Sequence, residues 1–145
     1  VRFEARATLP VEPAAAWDAL VRWEDQARWL RDADSVRVLT DRRDGVGTIV
    51  AVRTRILNVP LFTERLEVVA WEPPRRLVVR HRGVVRGHGT WSLEADPAGT
   101  RFAWVEDLGL PVPVLGELAL WVYRPFMVRL MRGGLADLRA LLDRG

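Results

Sequence analysis

A chain of 145 residues can bury about two-thirds of the surface its unfolded form exposes, so a core can form without staples. The absence of cysteine excludes disulfides, thiolate metal sites and a cysteine nucleophile. All 22 basic residues are arginine, but 19 acids hold the net charge at +3, and the arginines alternate singly with apolar or acidic neighbours, which argues against a nucleic-acid-binding face.

Residues 1–9 alternate, with Phe3, Ala5, Ala7 and Leu9 on one face and Arg2, Glu4, Arg6 and Thr8 on the other, the pattern of a half-buried strand. Because Val1 opens directly into this strand, without a basic segment and apolar block, no leader is expected and a cytoplasmic location follows. Pro10 ends the strand. Pro13 suits a first helical turn, and Ala14, Ala15, Ala16, Trp17, Leu20 and Val21 form an apolar stripe at helical spacing. A second short helix is expected to hold Ala27, Trp29 and Leu30. The stretch SVRVLTDRRDGVG then reads as a strand, a charged turn and the pair Gly45 and Gly47.

From Thr48 the period is two for about sixty residues. TIVAVRTRIL, LFTERLEVVAW, RLVVRHR, GHGTWSLEA and TRFAWVEDL are separated by turn sequences too short for crossover helices, so the strands pair antiparallel. From Leu115 to Leu142 the period becomes helical, through Leu118, Val122, Phe126, Leu135, Leu138, Leu141 and Leu142, with a bend expected at Pro125. The block VLGELALWVYRPFMVRLM is broken by Glu117, Arg124 and Arg129, which disfavours a membrane span and predicts a helix buried along most of its girth. The result is an α+β chain of about seven strands, read as a single domain over residues 1–145.

Side-chain parity decides what a ligand could touch. Placing Leu77, Val79 and His81 on one face with Gly89, Trp91 and Leu93 sends Val78, Arg80, Arg82, His88, Thr90, Ser92 and Glu94 to the other, and makes GVVRG a five-residue hairpin loop. The two histidines then point to opposite sides, so a two-histidine metal site is not expected. By the same parity Val50, Val52, Thr54 and Ile56 point inward, as do Phe62, Glu64, Leu66 and Val68, and Phe102, Trp104 and Glu106. Three ionisable residues, Glu64, His81 and Glu106, thus share the inward face. An unpartnered buried charge costs several kcal/mol, so they indicate a polar-lined space, although rim solvation or a structural salt bridge would also account for Glu64 and Glu106 near strand ends.

Trp17 in PAAAWDAL, Trp29 in DQARWL, the Gly45 and Gly47 pair, WEPPRRL at 71–77 and GTRFAW at 99–104 are similar to the spaced landmarks of the START-like (SRPBCC, Bet v 1-like) superfamily, nearest its polyketide cyclase/dehydrase and lipid-transport branch. The resemblance covers essentially the whole chain. It implies a helix-grip fold, in which a curved antiparallel sheet wraps the last helix around a hydrophobic cavity, with two short helices after the first strand. It carries no universal catalytic motif, so function rests on the site.

The leading expectation is a protein that binds a lipid, polyketide or other polycyclic compound in a cavity lined by Val52, Thr54, Leu66, Val79, Trp91, Phe102 and Trp104, with Glu64, His81 and Glu106 orienting it. An alternative is a cyclase, aromatase or dehydratase that uses His81, Glu106 and Glu64 for proton transfer, with no metal or organic cofactor. A third reading is an interaction or stress-related module with a vestigial cavity, touching a membrane or partner transiently through apolar loops. The loops ILNVPLF at 56–62 and LGLPVPVLG at 108–116 suit a portal or a simple cover for the core.

Overall fold

A computed structural model describes residues 1–56 and 59–144. Seven strands, β1 (Arg2–Leu9), β2 (Ala33–Val38), β3 (Ile49–Ile56), β4 (Val59–Glu72), β5 (Arg76–Arg82), β6 (Arg86–Asp96) and β7 (Gly99–Gly109), form one antiparallel sheet in the order β1-β7-β6-β5-β4-β3-β2. Helix α1 (Pro13–Leu20) and a 3-10 helix (Trp23–Arg28) link β1 to β2, and α2 (Leu115–Arg144) closes the chain. The sheet is curled around α2 in a helix-grip arrangement.

The inward faces follow the alternation of the sequence. Phe3, Ala5 and Leu9 of β1, Val50 and Val52 of β3, Leu77 and Val79 of β5, and Phe102 and Trp104 of β7 are all buried in one core. On the outer face charged residues pair across strands, as where Arg80 and Arg82 both reach Glu67. The β5–β6 register joins His81 to Gly87 and Arg80 to His88, so the loop is the three residues Gly83–Val85 and not five. Moving the register by two residues keeps every side chain on its expected face.

Helix α2 lies along β1 and β7, and Arg124 donates from Nε to the carbonyl of Arg2 at 2.9 Å. Its C-terminal half packs tightly. Gly134 permits this approach, because a Cβ there would lie 2.5 Å from the carbonyl oxygen of Trp29. Arg31 clamps the same region through a two-point bond to Asp137. Met131, Leu135 and Leu138 are buried beside these contacts.

The N-terminal half of α2 departs from the expected burial. Leu115, Leu118, Trp121, Val122 and Phe126 are exposed, with Val122 at 75%, so only the strip through Leu120, Tyr123 and Met127 turns toward the sheet. Pro125 lies within a continuous helix. No helix among the described residues is long and apolar enough to cross a membrane. The connection before α2 is short: β7 continues to Gly109, and Val112 and Val114 are exposed. The other apolar stretch, 56–62, lies within strands at both ends, and residues 57 and 58 are outside the described residues.

Candidate functional site

Between the sheet and the N-terminal half of α2 lies a cavity of about 460 Å³. Val52 and Thr54 of β3, Phe62, Glu64 and Leu66 of β4, His81 of β5, and Trp104, Glu106 and Leu108 of β7 form its sheet wall. Leu120, Tyr123 and Met127 face them from α2. The depression around Arg86, His88 and Asp107, by contrast, is an open hollow on the outer face.

Four of the seven expected lining residues, Val52, Thr54, Leu66 and Trp104, border this cavity. Val79, Trp91 and Phe102 do not. They point inward as expected but belong to the packed core, where Trp91 lies 5.7 Å from Trp29 and 6.0 Å from Phe102 between ring centroids. The short helices cover that part of the concave face and leave no space over it.

Glu64, His81 and Glu106 converge. Across the strands Glu64 is a diagonal neighbour of His81, since Leu66 is paired with His81 in the β4–β5 ladder. Glu106 is two strands from His81, with β6 between them, a separation of about 10 Å between backbones. What lets the side chains meet is Gly89, which stands opposite Glu106 on β6. A Cβ at Gly89 would lie 2.7 and 2.8 Å from the two carboxylate oxygens of Glu106, so only glycine leaves that space free. His81 Nε2 and Glu106 Oε2 are 2.9 Å apart, and Trp104 donates from Nε1 to Oε1 of the same carboxylate at 2.9 Å. Both oxygens of Glu106 are therefore held.

On its other side His81 Nδ1 lies 3.7 Å from Glu64 Oε1, close enough for charge attraction and too far for a hydrogen bond. Nδ1 is buried without a hydrogen-bond partner. Glu64 accepts from Thr54 Oγ1 at 3.3 Å. The side chains of His81, Glu106 and Glu64 are 8%, 11% and 20% exposed. Burial opposes charge on the imidazole, but the bond to Glu106 and the carboxylate of Glu64 outweigh it and raise His81 from 6.5 to about 10. At neutral pH the ring is an imidazolium between two carboxylates.

Two polar residues of the cavity stand outside the sequence pattern. Asp32, in the connection before β2, opens onto the cavity. Burial, and then the charge of Glu64, raises its carboxyl from 3.8 to about 6. As a loop residue it has no alternation to mark it. Tyr123, the single tyrosine, does carry a signal: Leu120, Tyr123 and Met127 recur at helical spacing beside the apolar stripe through Leu118, Val122 and Phe126. Burial raises the Tyr123 phenol above its usual 10.0. Among the described residues no three His, Asp or Glu side chains are arranged to share a metal ion.

Comparison with known proteins agrees with this architecture. The family model described as polyketide cyclase / dehydrase and lipid transport matches residues 1–143. No curated protein matches the sequence. Among solved structures, TTHA0849 from Thermus thermophilus superposes with a TM-score of 0.80 at 19% identity, covering 99% of this chain and 98% of that one. The di-domain ARO/CYC StfQ from the steffimycin biosynthetic pathway gives 0.77 at 16% identity, and there the match covers 99% of this chain but 51% of the other. Ara h 8.0201 gives 0.67 at 16% identity over 100% and 99% of the two chains. At these identities the superpositions speak for the fold alone. The chain belongs to the polyketide cyclase/dehydrase and lipid-transport family of the SRPBCC superfamily.

Proposed function

We propose that this member of the family binds a hydrophobic small molecule, of lipid, polyketide or other polycyclic kind, between the sheet and the N-terminal half of α2. The observation that carries the reading is the cavity itself. Its walls are mostly apolar, from Val52, Phe62, Leu66, Trp104, Leu120 and Met127, and a small polar group converges on it. That combination of apolar bulk for affinity and a few fixed polar groups for orientation is how small-molecule sites are built. The space remaining between Trp104 and Tyr123 favours a working cavity over a vestigial one.

Native mass spectrometry of the purified protein, before and after incubation with hydrophobic polycyclic compounds, tests this. A retained or added ligand that is lost in Leu66→Trp, which would fill the wall while keeping its apolar character, is the expected result. A protein that takes up none of them, with the same spectrum in the variant, overturns it.

A second reading, acid–base catalysis of cyclisation or dehydration in the same cavity, is favoured by the free Nδ1 of His81. Held through Nε2 by Glu106, the protonated ring can donate from Nδ1 to a substrate carbonyl, while Glu64 beside it accepts a proton from the adjacent carbon. His81 is then the acid of the pair, since its raised pKa leaves it protonated at neutral pH. Exchange of α-protons of a bound polyketone into deuterated water, followed by NMR, should be accelerated by the protein and lost in both His81→Gln and Glu64→Gln. Exchange at the uncatalysed rate rules catalysis out and leaves the binding function intact.

A further inference from the structure

The charges in the cavity do not balance. Glu64, Glu106 and Asp32 are three carboxylates around one imidazolium, and no arginine is among the described residues lining the space. Glu106 is spoken for, with both oxygens occupied by His81 and Trp104. Glu64 has one long bond from Thr54. Acceptor capacity and excess negative charge are therefore concentrated at Asp32 and Glu64. Independently, His81, whose side chain is 8% exposed, lines the same space and carries a buried Nδ1 without a hydrogen-bond partner. The cavity is thus incomplete on two counts, a missing positive charge and a missing acceptor atom.

We propose that the ligand is an amphipathic amine: an apolar, ring-containing body bearing a protonated nitrogen, which Asp32 and Glu64 hold, and an oxygen that accepts from His81 Nδ1. This rests on the reading of the cavity as a ligand site and specifies its chemistry. An ammonium group in a site walled by apolar side chains interacts with carboxylates far more strongly than in water. It also relieves the repulsion among those carboxylates, whereas an anionic ligand would add to it.

The groups facing Asp32 set the pH dependence. They are Glu64 from β4, Glu106 from β7 and Tyr123 from α2. The charge of Arg55 on β3 also acts on Asp32 and opposes the rise; Arg55 is bonded to the carbonyl of Ala33 at 3.4 Å and lies 3.9 Å from Asp34. Protonation of Asp32 near pH 6 removes one of the two charges that hold the amine, so amine binding weakens as pH falls through that value. Binding of an uncharged analogue is not affected by this step.

The test uses three probes with one ring system and different charge: 1-naphthylmethylamine, 1-naphthalenemethanol and 1-naphthoic acid, measured by isothermal titration calorimetry on the intact protein. The amine should bind about tenfold more tightly than the alcohol at pH 7.5, and the acid more weakly than either. Asp32→Asn should bring amine and alcohol to within about threefold of one another, by weakening the amine. The wild-type series at pH 5 and pH 7.5 decides the matter even where that variant does not fold, since the amine preference must shrink at the lower pH. Alcohol or acid binding as tightly as the amine overturns the charge assignment and leaves the hydrophobic cavity standing. No binding by any of the three overturns both.

Discussion

At one end of the concave face Trp17, Trp23, Trp29, Trp71, Trp91 and Phe102 interlock, with Trp17 edge-on to Trp71 at 5.2 Å and Trp29 edge-on to Trp104 at 5.9 Å. At the other end the same strands face a cavity lined by Thr54, Glu64, His81 and Glu106. Strand alternation is the same in both places. What differs is the cover: α1, the 3-10 helix and the C-terminal half of α2 fill the first end, whereas the N-terminal half of α2 spans the second without filling it. A sheet face is therefore not a core until something of the right shape closes it, and inward polar residues are tolerated where nothing does.

The largest expected effect lies at the filled end. Trp23 is 2% exposed and donates from Nε1 to the carbonyl of Arg43 at 2.8 Å. Trp23→Ala should cost about 3–5 kcal/mol in urea denaturation, because apolar contacts are lost and a cavity is left behind. Leu66→Ala, on the wall of the hollow end, should cost only about 1 kcal/mol, since the atoms removed border space that already exists. Equal losses at the two positions would show that the hollow closes in solution.

The pH dependence of stability separates the ends next. His81 gains a proton partner on folding, so its folded pKa, about 10, lies above the unfolded value near 6.5. The stabilisation it brings is complete below about pH 6.5 and is lost as pH rises through about 10. Unfolding free energy should therefore fall across that window, and His81→Gln should flatten the curve there. Asp32 acts in the same direction at lower pH, its folded pKa of about 6 being raised above 3.8, so the stability linked to it fades as pH rises between those values. A wild-type curve without slope between pH 7 and 10 would contradict the buried imidazolium.

How much of this is legible in the sequence divides along the same line. The alternation in RFEARATL, AVRTRI and GTRFAWVED, with that of the strands between them, places Phe3, Val52, Glu64, His81 and Glu106 on one face, and the structure keeps them there. Parity is a local property of the chain. The meeting of His81 with Glu106 across β6 is not, for it depends on strand order and on what stands between them. In the sequence Gly89 is only one residue of a hairpin, although it is the residue that clears the path. Trp91 and Phe102 look like cavity residues for a related reason: sequence shows which face a residue occupies, and it does not show which helix will lie over it.

Gly89→Ala is a smaller and more local change that isolates this point. The new methyl group must displace the Glu106 carboxylate, since it would sit 2.7 and 2.8 Å from its two oxygens. The bond to His81 weakens, and the histidine titration followed by NMR should move from about 10 down toward its ordinary value of 6.5. Stability at neutral pH should fall with it, because the stabilisation linked to the raised His81 pKa is lost when the bond to Glu106 weakens, and the slope between about pH 6.5 and 10 should flatten as in His81→Gln. A His81 titration unaltered by the substitution would mean that the two groups are held together by something other than the cleared space.

The smallest effect is expected on α2, whose two halves carry the contrast within one element. Leu135 is 1% exposed and packs in the filled end, whereas Val122, in the preceding half of the helix, is 75% exposed. Val122→Ser should alter unfolding free energy by no more than about 0.5 kcal/mol, the range typical of surface positions, with only the small helix-propensity difference between the two residues at stake. Leu135→Ser places a hydroxyl in the core and should cost several times more. The pair tests the burial of the helix directly, because both leucine and valine fit the same apolar stripe in the sequence. A marked loss at Val122 in the isolated chain would mean that the exposed stripe of Leu118, Val122 and Phe126 is covered in solution, and sedimentation velocity on wild type and variant would show whether a second copy covers it.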